Sequence, residues 1–404
     1  MKIRSNSRAV PVLKPRLLGV AVAACFAAPV ALALPTGPQV VVGSAAFSQQ
    51  TGALTVTNTP GTIINWRGFS IGASEAARFI QQGPTSSVLN RVIGAEASAI
   101  LGALQSNGRV WLVNPNGILF GPSARIDVQG LVASTLAISN SSFLAGKLNF
   151  EAGAIAGGIR NQGSIKTREG GSVYLVAPDI QNSGVIHSPK GEVMLAAGRS
   201  VSLVEAAHPD VQMVVSAPAD QAVNLGQILV EGGRASLFGA MLAQRGVVSA
   251  SSVGTDAAGN IVFRAGKDVT LAAGSKTVAD GGSGGTITVQ AKEGTNLVSG
   301  EVSAQGAEGK GGSIQLLGER VGLVDHASVD ASGQNGGGTV LVGGDYQGKN
   351  TAIQNAGATY VSPDATIVAD AKRKGDGGKV TVWGNDVARV YGAISARGGA
   401  EGGD

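Results

Sequence analysis

A five-residue signature, Gly-x-[Ile/Val/Ala]-x-[Leu/Val/Phe], returns at near-constant spacing through the second half of the chain, and a steady period of this length leaves few folds open. It begins at Gly233, Gly259, Gly285, Gly312, Gly338 and Gly378, in steps of 26, 26, 27, 26 and 40 residues. An earlier pair, Gly171 and Gly191, stands 20 residues apart. Several units carry a second, shorter segment, at 301–304, 327–331, 365–369 and 393–396. Both segments alternate apolar and polar residues with period two, which predicts strands with one face buried and the other solvated. Helical spacing is almost absent, and residues 74–82 are the one candidate helix.

A unit of 20–27 residues with two or three short strands cannot bury its own apolar face. Stacking units at ~4.8 Å per coil places each strand beside its equivalent and closes a continuous core. The expected fold is therefore all-β: a right-handed parallel β-helix, a solenoid of the pectate-lyase kind, with an N-terminal cap. A β-propeller needs about 40–50 residues per blade, and a β-sandwich would not repeat one signature at a steady spacing. Composition agrees. The 404 residues include 62 glycines, with only 4% aromatic and 14% charged residues, yet 43% are hydrophobic, too many for a disordered chain. Glycines are expected at corners with positive φ, and small side chains are expected to fill a thin core.

The net charge of +4 is a property of the first 33 residues, which hold Lys2, Arg4, Arg8, Lys14 and Arg16 and no acid. The remainder has 26 bases against 27 acids, so no nucleic-acid footprint remains. Residues 1–33 read as a secretory signal peptide: a basic stretch to Arg16, an apolar run over 17–30, and Ala31-Leu32-Ala33 as the cleavage site before Leu34. The Sec machinery is the implied export partner. No later segment approaches ~18 uninterrupted apolar residues, so the mature chain carries no transmembrane segment. The lone cysteine, Cys25, lies in the leader, and the mature chain cannot be trapped by a periplasmic disulfide. The chain stops at Asp404 just after Gly398-Gly399 would open another unit, which suggests a longer parent.

Residues 34–150 differ from the repeats, with Trp66 and Trp111 and more Asn and Gln. Within them stand the run Thr62-Ile63-Ile64-Asn65-Trp66, then Asn90-Arg91-Val92-Ile93-Gly94, then Gly108-Arg109-Val110-Trp111-Leu112-Val113-Asn114-Pro115-Asn116-Gly117. The last reads as a buried strand entering a Pro-centred turn. With Ala133-Ser134-Thr135-Leu136 downstream, the order and spacing of these blocks resembles the N-terminal secretion domain of filamentous haemagglutinin-like exoproteins, the TpsA partners of two-partner secretion. The resemblance covers residues 34–280, with a generic repeat shaft beyond. It implies that 34–150 cap the β-helix as the secretion domain, that 151–404 continue the coils, and that Asn90–Gly94 and Asn114–Gly117 form the secretion motif. It also implies recognition by an outer-membrane TpsB barrel through its periplasmic (POTRA) domains, and a protein secreted to, or held at, the surface of a Gram-negative cell. The chain lacks the Asn-Pro-Asn-Leu block of one subgroup, with Asn90-Arg91-Val92-Ile93 near that place. It stands closer to the large adhesins and haem-acquisition exoproteins. An adhesin shaft with a host-cell or glycan receptor is the leading expectation. The stalk of a contact-dependent toxin or a haem-capturing protein is the alternative.

A search for chemistry yields nothing comparable. His187, His208 and His326 stand apart, in no metal-ligand spacing. The Gly-rich run 281–285 leads into a strand and lacks the Lys-Ser/Thr ending of a phosphate loop. A β-helical polysaccharide lyase or glycosidase would line one face with carboxylates, whereas Asp179, Asp210, Asp325 and Asp345 are expected at turns, unpaired. Lys372-Arg373-Lys374 reads as a solvated turn. The expectation is a non-enzyme with no cofactor and no metal.

Overall fold

The computed structural model describes residues 34–203, 211–214 and 220–403. The leader with Ala33, as well as His208 and Asp210, lies outside the described residues. Within them the chain winds as a parallel β-helix with three ladders, one strand of each per coil. The first ladder, face A, runs from Thr62–Trp66 through Ser87–Val92, Arg109–Val113, 130–134, 172–177, Glu192–Ala197 and Arg234–Gly239 to Lys379–Val382. Face B begins with Ala53–Asn58 and Ala76–Ile80 and ends at Ala393–Ser395. Face C runs from Ser98–Ile100 to Val387–Val390.

The interior is a stack of aliphatic side chains in register. On face A the inward row passes from Val88 through Val110, Leu131, Val173, Val193 and Ile261 to Ile314 and Val340, each fully buried. Burying each such side chain is worth about 1.5–3 kcal/mol before chain entropy is subtracted. The N-terminal end is closed by antiparallel strands. Gln39–Val42 pairs with Thr62–Trp66, and Ala45–Gln50 forms a hairpin with Ala53–Asn58. Phe47, Trp66, Phe69 and Phe79 plug that end, with successive ring centroids 5.8, 5.5 and 6.3 Å apart.

The repeating glycine has a different reason from the one expected. Gly191, Gly233, Gly259, Gly285, Gly312, Gly338 and Gly378 are absent from the positive-φ positions. Each instead lies where an added Cβ would run into the carbonyl oxygen of the signature glycine one coil earlier, beginning with Gly171. Close approach of stacked backbones, not a left-handed turn, sets the period.

Two further expectations change. Residues 74–82 are not helical: Ala76–Ile80 is a strand, with Ala77 and Phe79 buried and Arg78 and Ile80 outward. The described α-helix is Asn140–Leu144, capped by the Ser139 hydroxyl, which accepts from the Ser142 N–H at 3.0 Å. Face A is also not solvated outside in its early coils. Leu89, Trp111, Val132 and Met194 point outward, yet are buried beneath an insertion made of that helix and the strand Leu148–Glu151. This strand pairs with Ser200–Leu203, which pairs in turn with Val211–Val214. Phe143 and Phe150 of the insertion meet the Trp111 ring at 5.1 and 6.2 Å.

A second axial row was not anticipated. Asn161, Asn182, Asn224 and Gln244 occupy one inward position of face C, at most 1% exposed. The Asn161 Nδ2 donates to Asn182 Oδ1 (2.7 Å), Asn182 Nδ2 to Asn224 Oδ1 (2.8 Å), and Asn224 Nδ2 to Gln244 Oε1 (2.7 Å). Each amide thus satisfies its neighbour in the adjacent coil, which makes a polar core tolerable.

Candidate secretion-motif site

The blocks separated in sequence meet where face A strands turn toward face C. Asn90 lies in the inward row and is fully buried. Its Oδ1 accepts from Trp66 Nε1 at 3.0 Å, and its Nδ2 donates to the Trp111 carbonyl at 3.2 Å. It therefore ties three successive face A strands together. Arg91 points the other way, its Nη2 donating to the Ile138 carbonyl and to Asn140 Oδ1, both at 2.9 Å. Partial burial lowers its pKa from the ordinary arginine value. Val92 is buried in the core, whereas Ile93 is 60% exposed. Gly94 packs against the Arg67 carbonyl so closely that no Cβ would fit.

Asn114 is fully buried as well. Its Nδ2 donates to the Glu96 carbonyl and to Ser98 Oγ, both at 2.9 Å. Its Oδ1 accepts from the Asn116 N–H at 3.0 Å, the local bond that makes the turn. Gly117 closes that turn at φ +121°, open to glycine alone without strain, and its N–H reaches the Asn114 carbonyl. Pro115 accepts through its carbonyl from the Gly157 N–H at 2.7 Å. Asn116 Nδ2 donates to the Gly94 carbonyl at 2.9 Å, which joins the two motifs directly. The third block joins too: Asn114 N–H donates to the Ser134 carbonyl, and Thr135 Oγ1 donates to the Gly157 carbonyl at 2.8 Å.

The residues singled out from sequence thus form one hydrogen-bonded knot. Asn90 and Asn114 face inward, Asn116 is half-buried, and the exposed skin is Ile93, Ala95 and Glu96. Leu34, the first described residue, is buried in the main core. The acids expected to be unpaired are not all so: Asp179 is ion-paired with Arg160, and Asp345 with Lys379 at 2.6 Å. Asp325 sits at a turn with φ +53°. His187 meets Glu231 at 2.7 Å on the surface. Among the described residues, no three His, Cys, Asp or Glu side chains converge as a metal site, and no helix is long and apolar enough to cross a membrane.

The class is thus a β-helix closed by an antiparallel cap, with an α/β insertion over one face and an asparagine knot at its corner. The family model of the TPS secretion domain matches residues 31–289, more than half of the chain. The chain belongs to that family. It is similar to the HMW1 secretion domain from Haemophilus influenzae, with 33% identity and a TM-score of 0.72 over 91% of this chain and 93% of that one. Two curated relatives, both heme/hemopexin-binding proteins of Haemophilus influenzae, are 35% identical over 41% of this chain and 44% identical over 18% of it. The matched stretches span 19% and 8% of the relatives' own length.

Proposed function

We propose that the chain is the export unit of a TpsA-type exoprotein. Its leader passes the Sec machinery and is removed after Ala33. The periplasmic domains of an outer-membrane TpsB transporter then engage residues 34–150, and the coils of 151–404 fold outside the cell. In this reading the β-helix is not an enzyme but a surface shaft. What supports export is the family match over residues 31–289, and what bears on the motif's part in it is the complete burial of Asn90 and Asn114. Side chains enclosed in the folded cap cannot be read by a transporter docked on that cap. Their role is therefore to lock the first coils once they emerge, and each later coil adds on that template. The locked cap would then keep the chain from sliding back.

The test separates folding from recognition. Asn114→Ala should lower secretion in step with lost cap stability, recover at lower temperature, and leave binding of the unfolded chain to the transporter's periplasmic domains unchanged. An Asn114→Ala chain that folds with full stability but no longer binds the transporter would refute the folding role.

The curated relatives favour one second reading, in which the parent protein takes part in capture of haem or hemopexin. Visible-absorbance titration of the chain with haemin addresses it: a saturable Soret shift at one equivalent supports haem capture by these residues. An unchanged spectrum removes it from them.

A further inference from the structure

One feature of the outer surface is not absorbed by export. Between face A and the insertion runs a trough of about 900 Å³. Its floor follows a single outward row, Ser87, Arg109, Gly130, Ser172, Glu192 and Arg234, paired coil by coil. Five steps between coils give a length of roughly 24 Å. Beside this row the stacked glycines 171, 191 and 233, which admit no side chain, leave the trough open along the axis. The opposite wall is the insertion, with Phe143, Lys147 and Asn149.

The charge along this line is one-sided. Arg109, Lys147, Lys190 and Arg234 line it against the single acid Glu192. Lys190 has a partner in Glu169 at 3.1 Å, and Arg234 stands 4.0 Å from Glu192. Glu192 is itself held by the Tyr174 hydroxyl at 2.6 Å. Among the described residues, no carboxylate forms an ion pair with Arg109 or Lys147. We infer that the trough binds an acidic oligosaccharide, its carboxylates or sulfates on Arg109 and Lys147 and its hydroxyls on Ser87, Ser172 and Asn149.

The linear, evenly spaced row suits a chain of repeating anionic units. An extended acidic peptide is the less favoured occupant, because both edges of every face A strand along the trough are already paired, so it could not add as a strand to the trough's floor. Arg holds a carboxylate or sulfate in a planar two-point contact, and Lys supplies a point charge.

The test uses the full exported chain and titration calorimetry with an oligogalacturonate octasaccharide, its methyl-esterified neutral form, and hexaglutamate. The acidic sugar should bind, the neutral form should bind at least 10-fold more weakly, and binding should fall as salt rises. Arg109→Gln with Lys147→Gln should reduce affinity at least 10-fold, with the melting temperature unchanged. Lys372→Gln with Lys374→Gln, on a different loop, should change nothing. Equal binding of acidic and neutral sugars, absence of binding, tighter binding of hexaglutamate, or full affinity in the Arg109/Lys147 variant would each overturn the assignment.

Discussion

Asn90 supplies an acceptor to the Trp66 indole N–H and a donor to the Trp111 carbonyl inside the core. Removing it leaves a buried indole N–H without an acceptor and opens a small void. Asn90→Ala should therefore destabilise the cap by about 2–3 kcal/mol. Urea unfolding followed by tryptophan fluorescence checks this, and Ile93→Ala, on an exposed side chain, should shift stability by less than about 0.5 kcal/mol. The blocks that define the site were legible from their order in the chain. Their mode of action was not. An asparagine beside a proline reads as a surface turn, and only stacking of three coils shows that Asn90 and Asn114 look inward. Asn116 is the partial exception, since a turn residue was expected and it does close the turn, while also bonding to Gly94.

At the level of the strand and corner, the glycine signature was plain and its cause was hidden. A period read from sequence cannot distinguish a left-handed corner from a crowded one. The difference is testable. Gly259→Ala drives a methyl group into the Gly233 carbonyl and should cost about 3 kcal/mol or block folding altogether, whereas Gly153→Ala meets only an ordinary contact with the Ile155 carbonyl and should be nearly neutral. Thermal melts of the two variants decide the matter.

The axial amide row follows similar logic. Asn182→Val strands the Asn161 donor and the Asn224 acceptor, at about 2–4 kcal/mol. Replacing all four amides by aliphatic residues should cost less than the sum of the single changes, as double-mutant cycles would show. The row had a sequence trace in Asn161-x-Gly163, Asn182-x-Gly184 and Asn224-x-Gly226. The insertion had little. Its outward neighbours on face A are apolar on both sides, so alternation fades where a strand is covered twice.

The loop 343–357 gives a pH expectation. The Lys379 ammonium, the Asn350 amide and the Tyr346 N–H hold the Asp345 carboxyl well below its ordinary 3.8. A carboxylate with a depressed folded pKa contributes stability that is present above the unfolded value and lost as pH falls through the folded one. The loop should thus be insensitive to pH from 8 to about 5 and loosen only below about 4. Carboxyl-carbon NMR of Asp345 would show this, and Lys379→Met should move the titration upward.

Across the whole molecule, stability is a sum over neighbouring coils, and in the proposed export reading the cap is the coil on which the rest are laid. Short strands, steady spacing and a leader were enough to expect the solenoid and its export. They said nothing of what covers face A, because a cover contributed by distant stretches, 140–151 together with 200–203 and 211–214, leaves no local pattern. Directional transport through a pore without ATP needs a gradient in free energy, and coil-by-coil burial provides one once the cap has formed. The most direct measurement is the amount of chain in the medium of cells that make it with and without a cognate outer-membrane transporter, with the N-terminus of the released protein sequenced. Release that depends on the transporter and begins at Leu34 is the expected result. Equal release without the transporter, or retention in the cytosol when it is present, would contradict the assignment of this β-helix as an export module.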